Sequence, residues 1–145
     1  MPKVVVGIDG SRGSDEALRF AAEEALLRGA TLEVVSVWDP ATAVSFGGPF
    51  VPSFDLHEEV ARQAQTLLDE TLARVPLDPG LTVVKRVLSG HPADVLVAEA
   101  AAADLLVVGS RGHGGFASLV LGSVGQQVAH HARCPVIVVP TGRGG

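Results

Sequence analysis

A chain of 145 residues with 47% hydrophobic and 19% charged side chains has the length and apolar content of one globular domain with its own core, and is too apolar to be disordered. Its net charge of -5 provides no basic field for a phosphate backbone, so nucleic acid is not an expected partner. The single cysteine, Cys134, excludes an internal disulfide and fits a reducing compartment.

Met1-Pro2-Lys3 leads directly into Val4-Val5-Val6, without the apolar core and small-residue cleavage site of a signal peptide. No apolar run approaches the ~18 residues of a membrane span. A cytoplasmic protein with no membrane partner is expected. Val4–Asp9 is a short β-branched run ending in glycine, the pattern of a strand buried on both faces. Ser14–Arg28 reads as a helix, with Leu18, Ala21, Ala22, Ala25 and Leu26 on one face. Asp15 and Glu16 suit the positive end of its dipole, and Gly29 supplies a stop. Thr31–Trp38 is a second β-branched run.

The next segment, Asp39–Phe54, carries Pro40, Gly47, Gly48, Pro49 and Pro52, and its length points to a functional flap or a partly disordered stretch. Asp55–Val75 reads as a long amphipathic helix with Leu56, Val60, Leu67, Leu68, Leu72 and Val75 on its apolar side. Leu81–Leu88, Leu105–Gly109 and Val136–Val139 are strand-like, while Pro92–Ala103 and Ser123–Ala132 are helical. Strands alternating with helices predict one α/β domain spanning 1–145, a Rossmann-like open and mainly parallel sheet with helices on both faces. In such sheets ligands bind beyond the carboxyl ends of the strands, where the winding reverses.

The loop after the fourth strand carries the strongest chemical signal. Gly109-Ser110-Arg111-Gly112-His113-Gly114-Gly115-Phe116 is followed six residues later by Gly122-Ser123, which opens a helix. Glycines let backbone amides approach an anion, and the unpaired amides of a helix start are electropositive. Ser123 can cap that helix and donate to a phosphate oxygen. Arg111 and His113 are the nearby cationic side chains, and lysine is absent from the loop.

The spacing Gly109, two residues, Gly112, nine residues, Gly122-Ser123 resembles the ATP-binding signature of the universal stress protein family. Val4–Ser11, Val34–Asp39, Leu105–Gly109 and Cys134–Val139 are similar to other parts of that family, so the likeness covers nearly the whole chain. It implies strand order 3-2-1-4-5, with Asp9 on the ribose or adenine side and Val37 against adenine. Gly109, Gly112, Gly122 and Ser123 would cradle the phosphates, with Arg111 near them. It also implies a nucleotide-dependent stress or signalling module with at most slow ATP hydrolysis, and a homodimer formed through Val136–Val139. Mg2+ or Mn2+ would suit a triphosphate in a loop with so little positive charge.

Simpler or rival readings stand beside these. Asp9 also suits capping of the Gly10–Ser14 turn or of the following helix, beside the favoured nucleotide role. Gly7, Gly10 and Gly13 lack the G-x-G-x-x-G order and favour a tight turn. His130-His131 suits a helix C-terminus better than a metal site, and Cys134 reads as a small buried hydrophobe. Trp38 either walls the pocket or shields the sheet edge. No Walker lysine and no nucleophile–His–carboxylate set is evident, so catalytic residues are not assigned. An ATP-using enzyme of the related α/β nucleotide-hydrolase type would want S-G-G-x-D-S after strand one, and Gly10-Ser11-Arg12-Gly13-Ser14 does not fit it. A family member acting through protein partners without nucleotide is the third reading.

Overall fold

Three successive valines at Val4–Val6 can be buried together only if both faces of their strand are covered, and that is how the chain folds. The computed structural model describes residues 2–40, 53–110 and 123–140. Along them run β1 (Lys3–Ile8), α1 (Arg12–Arg28), β2 (Thr31–Trp38), α2 (Ser53–Arg74), β3 (Val83–Ser89), α3 (Pro92–Glu99), β4 (Leu105–Gly109), α4 (Ser123–His131) and β5 (Val136–Val139). The strands form one sheet in the order β3-β2-β1-β4-β5, with every pairing parallel. The class is as the alternation of strands and helices predicts, and the order is the one the resemblance implies. Among the described residues no helix is long and apolar enough to cross a membrane.

Side-chain alternation divides the core into two layers. On one face Val4, Val6, Ile8, Leu32, Val34, Leu105 and Val107 pack with α1 and α2; on the other Val5, Val35, Leu106 and Val108 pack with α3 and α4. The buried stripe of α1 runs through Ala17, Leu18, Ala21, Ala22 and Ala25, whereas Leu26 is 44% exposed. The stripe is turned toward the small residues that let the helix approach the sheet, which leaves Leu26 at its margin. In α2 the buried row is Ala64, Leu68 and Thr71, continued by Val75 just past its end, and the Leu67 and Leu72 side chains flank it, partly buried.

Gly29 ends α1 in the left-handed region at φ 61°, its N–H reaching the Ala25 and Leu26 carbonyls. Of the unpatterned segment 39–54, only residues 39–40 and 53–54 are described, and 53–54 already belong to α2. Helix α3 stops four residues short of its predicted end. Ala101 and Ala103 donate to carbonyls three residues back, a tightened turn that delivers Asp104 to the start of β4. There the Asp104 N–H donates to the Lys3 carbonyl, and the Lys3 N–H donates to Asp104 Oδ2, both at 2.8 Å.

One residue breaks the apolar pattern of the sheet. Glu33 lies in β2 between Val5 and Val84, only 5% exposed. Its Oε1 is 3.7 Å from Lys3 Nζ, and its Oε2 is buried with no donor. Glu99, at the end of α3, lies close enough to act on it. Burial first, then the hydrogen bond with Glu99, push the Glu33 carboxyl above its ordinary value, while Lys3 and Arg86 pull it partly back.

Candidate functional site

The register decides which sequence-marked residues meet. Ile8 pairs with Ser36, so Asp9 leaves β1 beside Val37. Val6 pairs with Val107, which brings Gly109 level with Ile8 on the other side of β1. Adjacent strands lie about 4.8 Å apart, so the chain exits at Asp9, Val37 and Gly109 are neighbours at the carboxyl edge. This is also where the connections diverge, β1 leading outward to β2 and β4 to β5 on the opposite side. Val37 packs on the α3–α4 side of the sheet, as does Val124 at the start of α4. Helix α4 begins at Ser123, which is exposed. Arg111, Gly112 and Gly122 lie outside the described residues.

The turn after β1 is built from side chains as much as backbone. Gly10 adopts φ 83°, a conformation that favours glycine. Asp9 Oδ1 accepts from the Ser11 N–H at 2.9 Å, and Ser11 Oγ accepts from the Ser14 N–H at 3.2 Å as the N-cap of α1. Ser14 Oγ accepts from the Asp9 N–H at 3.2 Å and donates to the Ser11 carbonyl at 3.1 Å. The turn role of Asp9 is therefore real. A carboxylate accepts several hydrogen bonds, so that role is compatible with a ligand contact.

The three early glycines do different jobs. Only Gly10 is a turn glycine. A Cβ on Gly7 would meet Leu96 Cδ1 at 2.8 Å, so its absence seats α3. Gly13 is matched by Gly109, where a Cβ would come within 3.0 Å of the Gly13 carbonyl carbon and oxygen. Glycine at 109 thus brings the first turn of α1 down onto the end of β4, beside the loop that carries the signature. Ser110 prolongs the β4–β5 ladder, its N–H donating to the Val139 carbonyl at 2.9 Å.

Charged groups brace the same end of the molecule. Arg74, at the end of α2, grips Asp15 in the first turn of α1 with Nε–Oδ2 at 2.8 Å and Nη2–Oδ1 at 2.9 Å. This hydrogen-bonded pairing, and then the charge of Asp15, raise the Arg74 guanidinium further above its ordinary value. A cleft of about 330 Å³ runs beside this clasp, lined by Gly10 and by α2 residues including Arg62, Thr66 and Arg74. Trp38 points to the α2 side, its ring 5.7 Å from that of His57. It therefore covers the sheet face opposite Val37.

His91 is a residue that sequence reasoning missed. It stands at the β3–α3 junction, with Nε2 3.1 Å from Gln127 Oε1 and Nδ1 3.9 Å from Asp39 Oδ2. Only the Gly90-His91-Pro92 run marks it in the sequence. His130 and His131 occupy the last turn of α4. The Cys134 thiol is pushed up by burial and then by Asp104. Among the described residues no group of three or more His, Cys, Asp or Glu side chains converges to hold a metal.

Comparison with known proteins agrees with this geometry. A universal stress protein of Mycolicibacterium smegmatis is 41% identical over 137 residues, covering 94% of this chain and 45% of the relative. The chain thus spans about half the length of the curated relatives it matches. A universal stress protein solved in complex with cAMP superposes with TM-score 0.63 at 30% identity, covering 97% of each chain. Another, from Archaeoglobus fulgidus in complex with dAMP, gives 0.56 at 25% identity, covering 96% of this chain and 98% of that one. The model of the universal stress protein family matches residues 1–140, and on that match the chain belongs to the universal stress protein family.

Proposed function

We propose that this chain binds ATP at the carboxyl edge of its sheet and acts as a nucleotide-dependent stress or signalling module, with at most slow hydrolysis. The observation that carries the reading is the meeting of Asp9, Val37 and Gly109 at the ends of β1, β2 and β4, next to a loop whose Gly109, Gly112, Gly122 and Ser123 have phosphate-cradle spacing. Two family members of similar sequence were solved with cAMP and dAMP, which supports an adenine nucleotide as the ligand.

In this reading Asp9 accepts from the ribose or base, and Val37 offers its backbone and apolar side chain to adenine. The loop amides, the start of α4, the Ser123 hydroxyl and Arg111 face the phosphates. Mg2+ or Mn2+ would suit a triphosphate here, because the loop itself offers little positive charge. The cation would neutralise phosphate charge there. Gly112→Val and Gly122→Val test the assignment, because a β-branched side chain obstructs close approach of the phosphates. Folded variants that keep full ATP affinity would refute it.

The same reading includes a cytoplasmic homodimer formed through β5. Val136–Val139 is an apolar edge strand whose residues are all partly exposed, and such edges need covering. Sedimentation at tens of micromolar tests this: a dimer is expected, and a monomer refutes it.

A further inference from the structure

We propose that His91 is a positioning residue that fixes the spacing between the base side and the phosphate side of the nucleotide site; this rests on the ATP-binding reading above. Its imidazole reaches two other elements. Nε2 meets Gln127 Oε1 at 3.1 Å, and Gln127 lies one helical turn beyond Ser123, on the phosphate side. Nδ1 faces Asp39 Oδ2 at 3.9 Å, and Asp39 lies two residues beyond Val37, on the base side. With the Gln127 carbonyl oxygen as acceptor, Nε2 carries the proton; Nδ1 pairs with the Asp39 carboxylate only when it is protonated too, and in the neutral ring the tie to the base side is the backbone beneath His91.

The backbone beneath His91 is fixed for this task. Gly90 adopts φ 139°, and a Cβ there would strike Val95 Cγ2 at 2.7 Å. The Gly90 N–H donates to the Trp38 carbonyl at 2.9 Å, which ties the junction to the end of β2. His91 occupies the N-cap position of α3 but makes no side-chain cap hydrogen bond. Its side chain is committed sideways, toward α4 and the β2 exit, instead of to its own helix. It is also 48% exposed, so its removal opens no cavity in either core layer.

Adenosine engages only the base side, whereas ATP spans both sides. Loss of the link therefore weakens ATP selectively, because only ATP needs the two sides at a fixed separation. The test is the affinity of the full chain for ATP and for adenosine, in wild type, His91→Ala, His91→Gln and Gln127→Ala. His91→Ala and Gln127→Ala are expected to lose about three- to tenfold in ATP affinity, the scale of one hydrogen bond, with adenosine affinity unchanged. Glutamine extends an amide N–H to about the reach of Nε2, so His91→Gln is expected to recover ATP binding. Unchanged ATP affinity in His91→Ala, or equal losses for ATP and adenosine, overturns the proposal. Wild-type protein that binds neither ligand refutes the nucleotide reading itself, and this inference falls with it.

Discussion

Gly109→Ala tests by the sign of its effect whether the end of β4 and the first turn of α1 are in close contact. Residue 109 lies within a strand and does not have positive φ, so alanine fits its backbone conformation. Were the added methyl to meet open space, the substitution would stabilise the protein by about 0.4–1 kcal/mol through the unfolded chain. The methyl instead meets the carbonyl carbon and oxygen of Gly13 at 3.0 Å and the Ser14 nitrogen at 3.4 Å. These are backbone atoms of a capped helix turn, held by Ser11 and by the Asp15–Arg74 clasp, and they have no rotamer to change. Overpacking of this kind costs about 1–3 kcal/mol, which leaves a net loss of about 0.5–2.5 kcal/mol. Unfolding entropy near 2.1 cal/mol/K per residue over 145 residues gives roughly 0.3 kcal/mol/K, so Tm falls by about 2–8 °C. Calorimetry of the purified variant, without added nucleotide, reads the value. An unchanged or raised Tm would refute the close approach of α1 to β4.

Two further substitutions probe other contacts. Gly7→Ala meets the end of the Leu96 side chain, which can rotate at a cost of about 0.5–1.5 kcal/mol. The gain in the unfolded chain offsets most of that, so it should destabilise less than Gly109→Ala in the same calorimetry; a larger loss would mean that Leu96 has no alternative rotamer. Glu33 gives the pH prediction. Its folded-state value is raised above the ordinary 4.5, so folding takes up a proton, and that stabilisation is full below about 4.5 and lost as pH rises through the raised value. Wild-type urea midpoints should therefore fall relative to Glu33→Gln as pH increases from 4 to 8, and parallel curves would show that Glu33 does not titrate in this way.

The fold was legible because its signals are local. β1 and β4 are short, doubly buried apolar runs, and α1 shows helical periodicity between a serine cap and Gly29. The turn at Gly10 and the serine that opens α4 could also be read from neighbouring residues. Contacts that depend on strand order could not. The match between Gly109 and Gly13 exists only because β4 lies beside β1, so all three early glycines resembled turn residues when only one is. Glu33 carries no local signal of its setting, since nothing near it in sequence reveals that Glu99, Lys3 and Arg86 act on it. His91 and Gln127 are 36 positions apart, joined by the packing of α3 against α4. Trp38 could be assigned to a face only once the register of β2 was known.

The most direct test of ATP binding is denaturing extraction of freshly purified protein, with chromatography of the released nucleotide, followed by thermal unfolding with millimolar Mg-ATP. Retained ATP or ADP is expected. Ligand at about a hundred times its Kd should add ~2.7 kcal/mol, which by the same entropy scale raises Tm by roughly 9 °C. An empty protein whose Tm does not respond to Mg-ATP would contradict the nucleotide reading and favour a family member that works through protein contacts alone.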